Sequence, residues 1–275
     1  AKRIGRAIFE LVLKVKFILS EDIVKSLKDA YSIEKNKQAK KMLRILLENA
    51  KIARRERIPL CQDTGIVVVF VEIGEGVKVV GDLKGAINEG VSRAYREGYL
   101  RKSICEPLSR INNQDNTPAI IYTRIVKGNK LRIALCVKGF GAENKSQIKM
   151  FEPTASLKEI KEFVIKVVKE AGPDACPPFI LGIGIGGTFE QAALLAKEAT
   201  LMKIQNSEFK IQNKIHKLRK ELREEINKLG IGPMGLGGRT TCLGVNILTY
   251  PTHIAGLPVA VNISCHATRS AEIVL

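Results

Sequence analysis

The sequence predicts a mixed α/β fold in which a helical N-terminal region packs on mixed β-sheets with antiparallel pairing. Three observations carry this. The first 57 residues place apolar side chains at helical spacing. From Ile58 onward, short β-branched runs bounded by Gly, Pro and Asn alternate with amphipathic stretches that open on helix caps. Apolar residues make up 45% of the 275, enough to bury a sizeable core and to exclude disorder as the main state. No repeat or low-complexity linker divides the chain, so residues 1–275 read as one domain.

Taken in order, Ser20 with Glu21 and Asp22 marks a capped helix start, and Ala39, Met42, Leu43, Leu46, Leu47, Ala50 and Ala53 continue a helical stripe. The run Ile66 to Ile73 has the composition of a buried strand, and a helical stretch follows from Asp82 to Glu97. Ala119 to Val126 and Leu131 to Val137 are strand-like, and Lys127-Gly128-Asn129-Lys130 between them suits a tight hairpin turn. Ser156 and Glu159 form a capping box ahead of a helix to about Glu170. Thr188 with Gln191 opens another after the apolar run Phe179 to Ile185. Between Lys203 and Lys228, the residues Ile204, Ile211, Ile215, Leu218, Leu222 and Ile226 form a stripe on a charged segment, read as an amphipathic helical arm or hairpin at the surface. Cys242 to Thr249 and Pro258 to Cys265 are the last strand-like runs.

Forty-five Lys and Arg against 28 Asp and Glu leave a formal charge of +17. A basic nucleic-acid-binding protein would explain that charge through phosphate neutralisation, but aromatics are only 5% and Trp is absent, which leaves base stacking poorly supplied. The first 57 residues alone hold 16 basic and 7 acidic residues, Lys14 and Lys16 among them, most simply as a solvated helical face. No apolar run is long enough for a membrane helix, and no secretory signal is visible, so the chain reads as soluble and cytoplasmic. Six cysteines, far apart in such a chain, then read as reduced thiols.

The most informative segment is Pro59-Leu-Cys61-Gln62-Asp63-Thr64-Gly65, where a thiol, an amide, a carboxylate and a hydroxyl meet at a helix-to-strand junction. Cys176, ahead of Pro177 and Pro178, and Cys265, after the last strand run, also stand at strand ends, whereas Cys105, Cys136 and Cys242 read as structural. Three distant thiolates suit an iron-sulfur cluster with one iron left open; zinc is the rival, although the closely spaced pairs typical of structural zinc are missing. Gly182-Ile-Gly184-Ile-Gly186-Gly187 matches a dinucleotide-binding spacing with Glu208 further on, but the run before it is short and crowded by Pro177 and Pro178, so it reads better as a tight turn whose amides face a carboxylate or phosphate at a helix start. Lys138-Gly-Phe-Gly141-Ala-Glu-Asn144-Lys145-Ser146 and Arg101 offer donors for a carboxylate, and His253 lies between two strand runs.

The blocks PLCQDTG, KGFGAENKS, DACPPFILGIGIGGTFE, GIGPMGLGGRTT, YPTHIAGLPVAVN and SCHATR occur in an order that resembles the alpha subunit of the class I iron-sulfur fumarate hydratase and L-tartrate dehydratase family. The resemblance implies a [4Fe-4S] cluster held by Cys61, Cys176 and Cys265. It places Gln62, Asp63, Arg101, Gly141, Asn144 and Lys145 at the substrate, with Asp63 in proton transfer or positioning and His253 supporting it. The implied reaction is reversible hydration of a small dicarboxylate, fumarate to (S)-malate first and L-tartrate dehydration as the alternative, with the open iron as Lewis acid. Fumarate hydration would belong to the tricarboxylic acid cycle. A separate beta subunit is expected as partner, in an assembly of two alpha and two beta chains, with no nucleic acid and no membrane involved.

Overall fold

A computed structural model describes residues 1–204 and 213–275; Glu208 and Ile211 lie outside the described residues. The chain begins with α1 (Lys2–Phe17), α2 (Glu21–Ile33), α3 (Lys37–Glu56), β1 (Ile66–Gly74), α4 (Leu83–Glu97), β2 (Ile120–Val126) and β3 (Leu131–Lys138). It continues with α5 (Phe140–Glu143), β4 (Gln147–Phe151), α6 (Leu157–Ala171), β5 (Phe179–Gly186), α7 (Phe189–Ala199), α8 (Asn213–Asn227), β6 (Cys242–Tyr250), β7 (Leu257–Ser264) and β8 (Arg269–Val274). Two compact units result, neither continuous in sequence: Ala1–Ser20, Asn49–Gly139 and Ala267–Leu275 form the first, Glu21–Glu48 and Phe140–His266 the second. No helix among the described residues is long and apolar enough to cross a membrane.

In the first unit the strand order is β2-β1-β3-β8. β1 runs parallel to β2 and antiparallel to β3, and β3 is antiparallel to β8. The β-branched run therefore takes an inner position, as its composition demands: Val67, Val69 and Val71 are buried on one face, Val68 and Phe70 on the other. The first set packs with Ile133 and Leu135 of β3 against Ile4 and Ile8 of α1 and Ile87 and Val91 of α4. The expected β2–β3 hairpin does not form. The turn after β2 straddles the end of β1, where the Gly74 amide donates to Lys130 and the Gly76 amide to Gly128, so β1 intervenes between the two strands. Antiparallel pairing is present, but between β1 and β3.

The second unit has the order β4-β7-β5-β6, with β5 parallel to β6 and antiparallel to β7. One face carries Phe179, Leu181, Ile183, Val245 and Val261, packed with Val164 and Val168 of α6 and Leu218, Leu222 and Ile226 of α8. α8 is thus part of the core, not a surface arm: its apolar stripe is buried while its charged residues stay outside, with Lys161 of α6 bridging to Glu221 at 3.2 Å. The other face carries α7, seated on the glycines of β5. The capping box at α6 is formed as expected, with the Glu159 amide donating to Ser156 Oγ. At α7, by contrast, Thr188 makes no cap hydrogen bond to the backbone; its hydroxyl donates to Glu190 at 2.6 Å, and Gln191 takes no part.

Candidate functional site

In the first unit the residues Leu60–Gly65 form a loop ahead of β1. Cys61 is partly exposed, and its thiol donates to Gln62 Oε1 at 3.6 Å. Asp63 Oδ1 accepts the Gly65 amide at 3.0 Å, closing a tight turn. Gly65 has φ +60°, and a Cβ there would lie 2.2 Å from the Lys138 carbonyl oxygen, so only glycine fits. The other carboxylate oxygen of Asp63 lies over Gly139: a Cβ at 139 would stand 2.8 Å from Oδ2 and 3.2 Å from Arg269 Nη2. The missing side chain leaves room for a carboxylate beside a guanidinium. Arg269 is buried, its Nη1 donates to the Asp63 carbonyl at 2.6 Å, and its Nε has no hydrogen-bond partner.

Arg101 joins this loop through its backbone, since the Thr64 hydroxyl donates to the Arg101 carbonyl while the guanidinium stays exposed. Asn116 completes the link: its Oδ1 accepts the Ser103 amide at 2.7 Å and its Nδ2 donates to the Gly65 carbonyl at 3.2 Å. Tyr95 donates to the Thr64 carbonyl at 2.5 Å, and burial pushes its phenol well above the ordinary range. Lys16 donates to the same Thr64 carbonyl. It is fully buried, contrary to the solvated face expected for it; burial first, then the Arg269 charge, holds its ammonium pKa well below the usual lysine value.

In the second unit Cys176 adopts a left-handed conformation (φ 54°, ψ 65°) between a 3-10 turn at Gly172–Ala175 and Pro177. Cys265 follows β7 directly. The register Ile180↔Ser264 brings the start of β5 and the end of β7 to one end of the sheet, and with them both thiols. His266 fastens the two segments, its amide donating to the Cys176 carbonyl at 3.3 Å and its ring Nδ1 lying 3.1 Å from the same oxygen. The glycine loop reaches this end too. Lys145 Nζ pairs with Asp174 Oδ2 at 2.8 Å, a Cβ on Gly141 would stand 3.5 Å from the Asp174 carbonyl oxygen, and the Asn144 amide donates to Phe140 at 3.0 Å.

His253 is placed elsewhere. It is exposed in the β6–β7 connection, where its Nδ1 accepts the Ala255 amide at 3.2 Å. The register Gly186↔Tyr250 puts this connection at the far end of β5 from Cys176 and Cys265, roughly 25 Å away over the eight residues of that strand. Within the second unit His253 therefore does not join the thiol end. All six cysteines are thiols rather than half-cystines. The structural reading of Cys136 and Cys242 agrees with their burial, and burial pushes the Cys242 thiol up to about 12. Among the described residues no group of three His, Cys, Asp or Glu is gathered as a single metal ion would need.

Several polar groups at these loops take partners that the sequence did not indicate. Glu143 accepts from Lys197 and from Asn262 Nδ2 (3.0 Å), and Asn262 also reaches Ser146 Oγ at 3.0 Å. Asn262 stands inside an apolar strand run, which is a signal that was available. Lys16 sits in helical phase with Ile8 and Val12, and that spacing is the only sequence hint of its burial.

Comparison with known proteins gives these loops a context. The family model described as fumarate hydratase (Fumerase) matches residues 6–274. A Methanocaldococcus jannaschii protein named "Putative L(+)-tartrate dehydratase subunit alpha" is 40% identical over 280 residues, covering 98% of this chain and 96% of its own. The L(+)-tartrate dehydratase subunit alpha of Escherichia coli K12 is 28% identical over 261 residues, covering 94% and 86%. A match that runs from α1 to the end of β8, and so takes in every loop just described, shows that the chain belongs to the fumarate hydratase (Fumerase) family of hydro-lyases.

Proposed function

We propose that the chain is the alpha subunit of an iron-sulfur hydro-lyase acting on a four-carbon dicarboxylate, with Cys61, Cys176 and Cys265 as the ligands of a [4Fe-4S] cluster. The observation that carries the reading is the family match across the whole described chain, joined to the position of these three thiols: each is partly exposed at a strand end, while Cys136 and Cys242 are buried. The donor set fits the group, since cysteine thiolates are what hold such clusters. With three protein ligands, the cluster would supply a Lewis-acid iron that eases departure of hydroxide.

The chain's own residues have distinct parts. Asp63 is proposed to exchange the proton on the carbon next to the departing hydroxyl, with the Arg269 guanidinium beside it and Gly139 leaving space for it. In dehydration that proton goes to the base, the C–O bond breaks as hydroxide leaves, and a C=C bond forms. Arg101, with an exposed guanidinium, is suited to a bidentate hold on a substrate carboxylate, and Gln62, exposed beside Asp63, to a hydroxyl or carboxylate oxygen. The Gly141 segment with Asn144 and Lys145 would take a second carboxylate, for which Lys145 must share its ammonium with Asp174. His253, at the other end of its sheet, is given no part beside the second unit's thiols.

Two substrates fit. The family description speaks for fumarate and malate, and the names of the relatives speak for L(+)-tartrate, which would yield oxaloacetate through its enol. Those names also speak for a beta subunit as partner. The deciding experiment is co-expression with the beta-type subunit, anaerobic purification, and assays on fumarate, malate and both tartrate enantiomers. A brown protein absorbing broadly near roughly 400 nm and active on one of them is expected. Replacing Cys61, Cys176 or Cys265 by Ser should remove the cluster while replacing Cys105 should not. A colourless complex after reconstitution, or equal iron in all four variants, would reject the assignment.

A further inference from the structure

The loop that carries Cys61, Gln62 and Asp63 has no regular structure of its own, yet side chains from several elements hold its carbonyls. Asn49 donates to Leu60 at 3.0 Å, Arg269 to Asp63 at 2.6 Å, Lys16 and Tyr95 to Thr64, and Asn116 to Gly65 at 3.2 Å. Lys16 is the anomaly in this set. It occupies a core position of α1 beside Val12, Val15 and Phe17 with no exposed surface, and its Nζ lies 4.9 Å from the centre of the Tyr95 ring. Burying an amine there costs stability that an apolar residue of the same length would not. Nor is the side chain required to join α1 to the loop, because the backbone already does so: the Leu60 amide donates to the Lys16 carbonyl at 2.9 Å. What the amine adds is a hold on the Thr64 carbonyl, one residue beyond Asp63 and three beyond Cys61.

We propose that Lys16 is a positioning residue for the Cys61–Asp63 segment, acting through the Thr64 carbonyl. The importance of that segment rests on the function proposed above, but the hold itself is testable without it. In the alpha chain as purified, Lys16→Met keeps length and packing while removing the donor, and Lys16→Gln keeps a neutral donor. Alkylation by iodoacetamide, read by peptide mass for each cysteine, should speed up about fivefold or more at Cys61 in Lys16→Met, with Cys105, Cys176 and Cys265 unchanged and Lys16→Gln close to wild type. In the cluster-loaded complex, kcat should fall roughly 30- to 100-fold with KM within about threefold, because a loop misplaced by an ångström harms the reacting geometry more than the binding. Lys16→Gln should recover most of it.

An unchanged Cys61 rate in Lys16→Met overturns the proposal, as does wild-type kcat per loaded site. Should Lys16→Met loosen the whole unit, seen as alkylation of buried Cys136, Tyr95→Phe decides instead: it removes the other donor on the Thr64 carbonyl and keeps the ring. A rise at Cys61 alone then supports the hold, and no rise rejects it. A wild-type complex inactive on every dicarboxylate tried would sink the functional reading and leave the alkylation ratio to judge Lys16.

Discussion

The glycines of β5 allow the sharpest test of the second unit. A Cβ on Gly184 would lie 2.1 Å from the Ala192 carbonyl oxygen and 2.7 Å from the Ala196 nitrogen; on Gly182 it would lie 2.1 Å from the Ala196 oxygen and 2.9 Å from the Thr200 nitrogen. These are backbone atoms of α7 and its end, so no rotamer change relieves them. Restoring an ordinary contact of about 3.4 Å means lifting α7 by roughly 1 Å, which forfeits a quarter to a half of the dispersion contact made by its buried face. That face is Ala192, Leu195, Ala196 and Ala199. Gly184→Ala should therefore fall at the upper end of overpacking costs, about 3 kcal/mol, lowering Tm by roughly 6–12 °C. Gly182→Ala should do the same, and the double variant little more than either, because one displacement of α7 serves both. Gly256→Ala, with open space around its Cβ, is the control and should stay within about 0.5 kcal/mol. Thermal unfolding by circular dichroism reads all four. A Gly184→Ala variant within about 2 °C of wild type would refute the seating of α7 and reopen the Gly-rich stretch as a ligand loop; binding of a nicotinamide dinucleotide by wild type would point the same way.

Other expectations follow from single groups. Burial would raise the Glu72 carboxyl, but hydrogen bonds and charge from Arg132 and Arg124 outweigh it and hold it below 4.5. Its stabilisation is complete above that value and is lost as pH falls through the depressed folded one, so Glu72→Gln should flatten the acid limb of urea midpoints measured from pH 3 to 7, by under about 1 kcal/mol for a partly exposed pair. Parallel limbs for the two proteins would contradict this. Cys242, with its thiol at about 12, should resist iodoacetamide at pH 8 until denaturant is added, while Cys105 reacts in the native state; similar rates would refute its burial. Ser156→Ala removes the acceptor for the Glu159 amide and should cost about 1 kcal/mol, read as a Tm lowered by roughly 2–4 °C.

Local structure was readable wherever the cause is local. The β-branched run 66–73, the capping box at Ser156 and the start of α4 at Asp82 depend on residues a few positions apart. β8 was not foreseen: Arg269–Val274 mixes polar and small residues, and its strand state comes from pairing with β3, far away in sequence. The candidate site divides in the same way. The motif blocks contain Cys61, Asp63, Cys176 and Cys265, the family resemblance adds Arg101, and the structure adds the means by which each is held. Arg269, Asn116, Tyr95 and Lys16 reach the first loop from separate parts of the chain, and no short window contains two of them.

The α/β class, most elements and the family are thus legible in neighbouring residues, where periodicity, capping and ordered motifs are written. Long-range packing alone sets that β1 intervenes between β2 and β3, that α8 belongs to a core, that Lys16 is buried and that His253 lies at the opposite end of its sheet from two of the thiols. Each of these depends on which distant surfaces exclude water from one another, and a helix or strand pattern says which face is buried without saying against what.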